Sequence, residues 1–444
     1  MVTVITYGTF DLLHHGHIRL LERAKALGDY LIVGVTADDY DKTRGKINVQ
    51  QSLMERIEAV RATGLADKII VEEYEGQKID DILRYNVDVF TVGSDWKGQF
   101  DYLDVYCKVI YLERTEGVSS SELRTEKNNL RVGLVGEVPF LEKFYKESSF
   151  VNGLEVAGVF TDNPDLLREH EDVLHFVKDY HQLLDYVDAV YIASHPSLHY
   201  TQIKEALCRG KHVLCESPST LSVATYTEVC KIAADNGLIL MDAIKTAYST
   251  AYNRLLVLLQ SGKIGKVLSV DATCTSLKTA DLEKVHYKYW NSICDWGPTA
   301  MLPVFQILGT NWEDMRIVSL ISDQSQKDDL FTKIDFRYRS AVASIKVGKG
   351  AKSEGELIIT GTQGYIYVPA PWWKMDYFEV RYENQQQNKR YFYQLDGEGI
   401  RYELFAFVTA VASQRRKHYI NEWVSSAIIE VIESFESGNV NYLQ

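Results

Sequence analysis

Two histidines, His14 and His17, stand three residues apart with Gly16 between them, in the segment Tyr7-Gly8-Thr9-Phe10-Asp11-Leu12-Leu13-His14-His15-Gly16-His17. A short apolar run precedes it (Val2, Val4, Ile5) and an amphipathic pattern follows (Ile18, Leu20, Leu21, Ala24, Leu27), so the spacing predicts a strand, a glycine-containing turn and a helix. The first N–H groups of a helix have no intrahelical partner and carry the positive end of its dipole, so they attract phosphate. Two imidazoles placed there can donate hydrogen bonds to a crowded triphosphate as its charge shifts in a transition state. The plain alternative is a pair of structural histidines at a helix start. A second segment weighs against it. Arg114-Thr115-Glu116-Gly117-Val118-Ser119-Ser120-Ser121 closes an apolar run (Val109, Ile110, Tyr111, Leu112) and opens another polar helix start. An arginine, a glycine, a threonine and three serines at such a junction suit phosphate oxygens.

Together these residues carry the HxGH motif of nucleotidyltransferases, and roughly residues 1–126 resemble the glycerol-3-phosphate cytidylyltransferase family. The likeness runs in order through the opening segment, Leu20-Leu21-Glu22-Arg23-Ala24-Lys25, Leu27-Gly28-Asp29-Tyr30, Val92-Gly93-Ser94-Asp95-Trp96 with Phe100-Asp101, and Arg114–Ser121. The resemblance implies transfer of a cytidylyl group from CTP to glycerol 3-phosphate or a similar small polyol phosphate. Pyrophosphate would leave, and the CDP-glycerol would serve an envelope polymer such as teichoic acid or capsule. It implies catalytic roles for His14, His17, Lys46 and Arg114, and CTP contacts from Thr9, Phe10, Gly16, Asp95, Thr115 and Ser119. It puts Arg44, Lys46 and Arg56 at the acceptor, and has Asp11 hold a Mg²⁺ ion or orient the loop. Mg²⁺ bound mostly by phosphate and water needs only one or two carboxylates. Where the family carries two lysines two apart, this chain has Arg44 and Lys46; arginine keeps the charge and adds a planar fork. A further family arginine, before the third strand, is Gly64 here, and Arg61 is the neighbour that could compensate.

The chain has 444 residues, enough for two or three domains, with 46% hydrophobic and 25% charged residues. A net charge of −13 argues against general nucleic-acid binding, because phosphate backbones need basic surface. No apolar run reaches the ~20 residues that span a bilayer, and no signal peptide is expected at Met1, so the expectation is a cytoplasmic protein. Six cysteines form no CxxC pair and no zinc spacing, as reduced thiols would. Both families resembled assemble, so a homo-oligomer is expected.

Alternating apolar runs and helical patterns predict strands at 2–6, 30–36, 68–72, 88–92 and 108–112, with helices at 17–27, 52–62 and 77–84, a parallel α/β sheet. Polar Thr125–Asn129 is the candidate linker. A second βα start, Leu130-Arg131-Val132-Gly133-Leu134-Val135-Gly136, leads into strands at 155–160, 189–194, 212–216 and 238–242. This part resembles the Gfo/Idh/MocA family of NAD(P)-dependent oxidoreductases through Ile192–His199, Ala206-Leu207, Gly210–Glu216, Ser261–Gly265 and a hairpin at 355–364. The expected division is a cytidylyltransferase domain over 1–128, a Rossmann domain over 129–245, and an α+β domain with an open mixed sheet over 246–444.

NAD(P) is the cofactor that this second resemblance implies, with Gly133, Gly136, Asp162 and Glu216 as its contacts. The chemistry departs from the pattern. Only two glycines of a G-x-G-x-x-G remain in register, Glu137 puts a negative charge beside the pyrophosphate position, and Pro139 removes a donor. The family's catalytic lysine, in E-K-P, is Ser217, and the histidine of its D-x-G-x-H is Thr299. Hydride chemistry at a carbinol needs a proton acceptor, for which Lys245 and His199 are the substitutes on offer. Tyr287, Tyr289, Trp290, Trp372 and Trp373 are candidates to line the old substrate cleft. A degenerate oxidoreductase half fits these losses; the alternative is a bifunctional enzyme whose rear half makes the polyol phosphate.

Overall fold

The computed structural model describes residues 2–13, 15–37, 49, 51–74, 76–113, 129–136, 138–151, 153–161, 175–277, 291–321, 329–393, 395–413 and 419–443. The side chains of His15, Asp95, Val138, Pro139, Asp396 and Ser413 fall outside that description. The chain divides into two compact units, Met1–Asn129 and Leu130–Gln444.

In the front unit β1 (Thr3–Gly8) leads to α1 (His15–Lys25), then β2 (Tyr30–Thr36), α2 (Leu53–Ala62), β3 (Lys68–Glu72), α3 (Gln77–Tyr85), β4 (Val89–Gly93) and β5 (Lys108–Leu112). The strands form a parallel sheet in the order β3-β2-β1-β4-β5. Its central residues are β-branched or aliphatic because both faces are covered: Val4, Ile5, Ile32 and Val33 are almost wholly buried. Leu21 and Ala24 of α1 pack on one face with Ile57 and Val60 of α2, and Ile82 of α3 packs with Phe90 on the other. Strand order reverses next to β1. The carboxyl ends of β1 and β4 therefore border the crevice where open α/β sheets take ligands.

The rear unit repeats this logic. β6 (Leu130–Gly136), α4 (Val138–Ser148), β7 (Leu154–Phe160), α5 (Tyr180–Tyr186), β8 (Ala189–Ala193), α6 (Pro196–Cys208), β9 (His212–Glu216), α7 (Val223–Asp235) and β10 (Leu240–Ala243) follow in turn. The sheet runs β10-β9-β8-β6-β7, parallel throughout, with its reversal between β6 and β8. The strand expected at 238–242 starts later because the Leu238 N–H is spent on the Ala233 carbonyl (2.8 Å), closing α7.

After α8 (Thr250–Gln260) comes a nine-stranded sheet built from β11 (Val267–Thr275), β12 (Asp314–Ile321), β13 (Asp329–Arg337), β14 (Val342–Gly348), β15 (Leu357–Gly361), β16 (Tyr365–Val368), β17 (Tyr377–Arg381), β18 (Lys389–Phe392) and β19 (Asn441–Leu443). β11 pairs parallel with β14 and antiparallel with β15, so the sheet is mixed. The hairpin expected at 355–364 is β15–β16, closed by the Gly361 N–H on the Gly364 carbonyl (2.9 Å). The buried helix α9 (Ser292–Leu308) lies across β11 and β14, with α10 (Ile400–Ser413) and α11 (Glu422–Glu436) completing the unit.

The two glycines of the second βα start are both demanded by packing. A Cβ on Gly133 would stand 2.8 Å from Leu183 Cδ2. Gly136 has φ +120°, and its Cβ would collide with the Ser194 amide and the Ala193 carbonyl where β8 ends. Gly136→Ala is therefore expected to cost the rear unit roughly 2–4 kcal/mol through strain and a backbone clash. Urea unfolding followed on the rear-unit transition checks this, and a shift under about 0.5 kcal/mol would contradict it.

Candidate functional site

The turn after β1 is short of conformational comfort and heavily braced. Phe10 and Leu12 both lie in the left-handed region, at φ +53° and +48°, where non-glycine residues are strained. Phe10 compensates by burying its ring in the core and meeting the His17 ring edge-on, 5.6 Å between centroids. The start of α2 supplies the rest. The Leu12 N–H donates to Gln51 Oε1 (2.8 Å), and the Gln51 N–H donates to Asp11 Oδ1 (3.0 Å). Ser52 caps the helix in a reciprocal box with Glu55, fixing where Gln51 and Arg56 stand.

Arg56 is the central brace. Fully buried, its Nη1 donates to the carbonyls of Thr9 (2.6 Å) and Thr36 (2.8 Å), and its Nε to that of Gln51 (3.2 Å). This is a different task from the acceptor contact expected of it: the guanidinium is turned inward because three carbonyls of the turn and its neighbours need a donor. Asp11 is 2% exposed, and its Oδ1 accepts the Gln51 N–H. Gly64, where the family has an arginine, adopts φ +68° beyond the end of α2, so a side chain there would be strained; Arg61 pairs with Glu58 on the surface.

Thr9, Phe10, Gly16 and His17 thus come together at the carboxyl end of β1, and the Ser94–Trp96 turn that holds Asp95 follows β4 across the reversal. His14, Arg44, Lys46, Arg114, Thr115 and Ser119 lie outside the described residues, as does the Thr125–Asn128 part of the candidate linker. Among the described residues no group of three His, Cys, Asp or Glu side chains is placed to hold a metal. No described helix is long and apolar enough to cross a membrane, and all six cysteines are free thiols.

In the rear unit a cavity of about 390 Å³ opens at the β6/β8 reversal. Glu216, Ser217, Lys245 and Thr299 line it, so the two positions where the resemblance leads one to expect a lysine and a histidine face the cleft with hydroxyls. Asp162 lies outside the described residues, as do Tyr287, Tyr289 and Trp290. Of the two tryptophans expected there, Trp373 lines the cavity but Trp372 does not. Trp372 is fully buried, and its indole N–H donates to the Thr273 carbonyl (3.1 Å), a core use of the ring.

His199 borders the cleft but is spoken for. Its Nδ1 and Nε2 stand 2.9 and 2.7 Å from the carbonyls of Pro218 and Ser194, which leaves no nitrogen to take a substrate proton. Burial pulls its pKa down while the two carbonyls oppose. Lys245 is the substitute that remains: burial lowers its pKa, against the attraction of Glu398. Sequence reasoning missed Lys143, Lys374, Glu398 and Trp296, which come to the same cavity from separated segments.

From the cavity wall the Glu216 carboxyl acts on the buried carboxyl of Glu403. Burial pushes Glu216 up to about 7 despite the Tyr191 hydroxyl that donates to it at 2.5 Å. Glu403 is raised by burial and by the Glu216 charge, and its Oε2 has no hydrogen-bond partner among the described residues. A carboxyl raised in the folded state stabilises below its unfolded pKa and loses that contribution as pH rises through its folded pKa. Rear-unit stability should accordingly fall between about 4.5 and about 7, and Glu403→Gln should flatten the fall. Thermal midpoints across that range test it; an equal slope in wild type and variant would refute the assignment.

Residues 5–126 match the cytidylyltransferase-like family, and residues 130–243 match the oxidoreductase family with an NAD-binding Rossmann fold. The glycerol-3-phosphate cytidylyltransferase of Bacillus spizizenii is 46% identical over 130 residues, 29% of this chain and 100% of that protein. That of Bacillus subtilis is 47% identical over 126 residues, 28% of this chain and 97% of its own. Among solved structures, KijD10, a 3-ketoreductase from Actinomadura kijaniata, has a TM-score of 0.61 at 18% identity, covering 71% of this chain and all of that one. At that identity the likeness shows the fold alone. With a whole relative matched in its front part, the chain belongs to the glycerol-3-phosphate cytidylyltransferase family, extended in one polypeptide by a Gfo/Idh/MocA oxidoreductase-family domain.

Proposed function

We propose that the front unit transfers a cytidylyl group from CTP to glycerol 3-phosphate or a similar small polyol phosphate, giving CDP-glycerol and pyrophosphate. The observation that carries this reading is the strained Thr9–His17 turn, braced by Arg56 at the strand reversal, in a segment matching a complete glycerol-3-phosphate cytidylyltransferase. In the proposed reaction a phosphate oxygen of the acceptor attacks the α-phosphorus of CTP in line, and pyrophosphate departs. Both reactants are anions, so the protein's task is positioning and charge neutralisation. His14 and His17 donate to the triphosphate; neither acts as a base, since the attacking phosphate is already ionised. Lys46 and Arg114 add positive charge, and Thr9, Phe10, Gly16, Asp95, Thr115 and Ser119 surround the nucleotide. Arg44 and Lys46 receive the acceptor, with Arg56 acting from behind by holding the Thr9 carbonyl. Mg²⁺, held mainly by phosphate oxygens with Asp11 as its proposed carboxylate, would supply charge to the leaving pyrophosphate.

The product would feed an envelope polymer such as teichoic acid or capsule, in a cytoplasmic homo-oligomer whose acidic charge leaves nucleic acid out. The three-part division at 128/129 and 245/246 goes with this proposal. A second reading makes the rear half a working NAD(P)-dependent oxidoreductase that supplies the polyol phosphate. One observation favours it: Lys245 reaches the cavity wall with its charge weakened by burial, as a displaced proton donor would. NADH or NADPH binding to the full chain separates the two.

Pyrophosphate release from CTP and Mg²⁺ should be seen with glycerol 3-phosphate, in a panel that includes ribitol 5-phosphate and phosphocholine. His17→Ala should lower kcat by about 10²–10³-fold, the usual cost of one donor to a developing charge. Full activity in that variant, or silence across the panel, would sink the assignment. Arg56→Lys keeps the charge but cannot reach three carbonyls at once, so kcat should drop about tenfold or more with the front unit still folded; wild-type kcat would remove the brace from the mechanism.

A further inference from the structure

Three lysines from distant parts of the rear chain meet one carboxylate at the cavity wall. Lys374 Nζ lies 2.6 Å from Glu398 Oε1, while Lys143 and Lys245 Nζ lie 3.3 and 3.5 Å from its Oε2. All four side chains line the cavity and keep partial exposure to solvent. Three ammonium groups against one carboxylate leave two positive charges in excess. Of the other carboxylates on the cavity wall, Asp295 has its own lysine, Lys349, at 3.5 Å, and burial pushes Glu216 up to about 7, which weakens its charge.

The backbone that delivers Glu398 is unusual. Gly397, Glu398 and Gly399 are all left-handed, at φ +55°, +55° and +93°. Glycine takes that conformation freely, whereas glutamate is strained in it. The segment thus spends conformational energy to hold a carboxylate among lysines, and the lysines depress that carboxyl to about 2. Burial and the Lys374 charge act the other way on Lys245, lowering its pKa despite Glu398. The cluster is under-neutralised.

We propose that this cluster is an anion site, in which Lys143, Lys245 and Lys374 bind the phosphate of a small phosphate monoester while Glu398 serves as the built-in competitor. A phosphate monoester carries about −1.5 to −2 charge at pH 7 and three strong acceptor oxygens, which matches two excess charges and three point donors. The rest of the cavity suits a short hydroxylated carbon chain. Trp296 and Trp373, 4.8 Å apart between ring centroids, offer apolar faces, and Ser217 and Thr299 offer hydroxyl partners. The volume, about 390 Å³, is at the small end for ligand sites. Naming a polyol phosphate as the occupant rests on the reading of the front unit. The site needs no redox chemistry, so the losses at Ser217 and Thr299 do not disable it.

The test is calorimetric titration of the full chain with sn-glycerol 3-phosphate at low salt, comparing wild type, the double variant Lys245→Met with Lys374→Met, and Glu398→Gln. Any front-unit contribution is common to all three and cancels in the comparison. The double lysine variant should weaken rear-site binding at least about tenfold, and Glu398→Gln should tighten it by roughly three- to tenfold, as removal of a like charge from the ligand's surroundings requires. Opposite signs at adjacent positions are not a signature of misfolding. Equal affinity in all three proteins, or weaker binding in Glu398→Gln, would overturn the proposal. Pyrophosphate release measured on the same preparations reports the front-unit reading separately, so a failure there is distinguishable from a failure here.

Discussion

Reversal of strand order beside the first strand of each parallel sheet is the constraint on which both sites depend. Parallel strands buried on both faces place all their carboxyl ends on one edge, and the connecting helices must leave that edge on opposite sides where the order reverses. In the front sheet β1 and β4 flank the reversal; in the rear sheet β6 and β8 do. The chemistry-bearing segments are found at those four strand ends. Thr9–Leu13 follows β1, Ser94–Trp96 follows β4, Gly136 ends β6, and Ser194 follows β8.

The front crevice shows how a loop is held rigid where no regular hydrogen bonding exists. A turn with two left-handed non-glycine residues persists only when its surroundings over-determine it. Here a buried ring, the ties of Gln51 to Asp11 and Leu12, and one guanidinium spanning three carbonyls do so. An interior arginine is costly to desolvate, and charge-assisted bonds to carbonyls offset that cost.

In the rear unit the family architecture is kept while its charges have moved. The family lysine and histidine positions now carry Ser217 and Thr299, yet Lys143, Lys245 and Lys374 arrive at the same cavity on α4, beside β10 and beside β17. Glu216 lines the same cavity, and its charge together with burial disfavours ionisation of Glu403. A hydroxyl-lined, lysine-flanked cleft is better suited to holding an anion than to passing a proton to a carbinol.

Both Rossmann-like sheets were legible in the sequence because fully buried strands must be runs of Val, Ile and Leu, and the helices between them must repeat every three to four residues. The glycines at 133 and 136 also announce themselves, since close approach of neighbouring groups accepts few residue types. The inward turn of Arg56 does not, because a guanidinium is chemically equal to either task until the carbonyls of Thr9, Thr36 and Gln51 are placed around it. Nor does the division between Trp372 in the core and Trp373 on the cavity wall, which adjacent residues of one type cannot express. Local chemistry, then, is written in the chain wherever a residue's neighbours in space are its neighbours in sequence, as in the HxGH turn. The convergence of Lys143, Lys245 and Lys374 on Glu398 spans some 255 residues of separation, and only tertiary packing could bring those charges together.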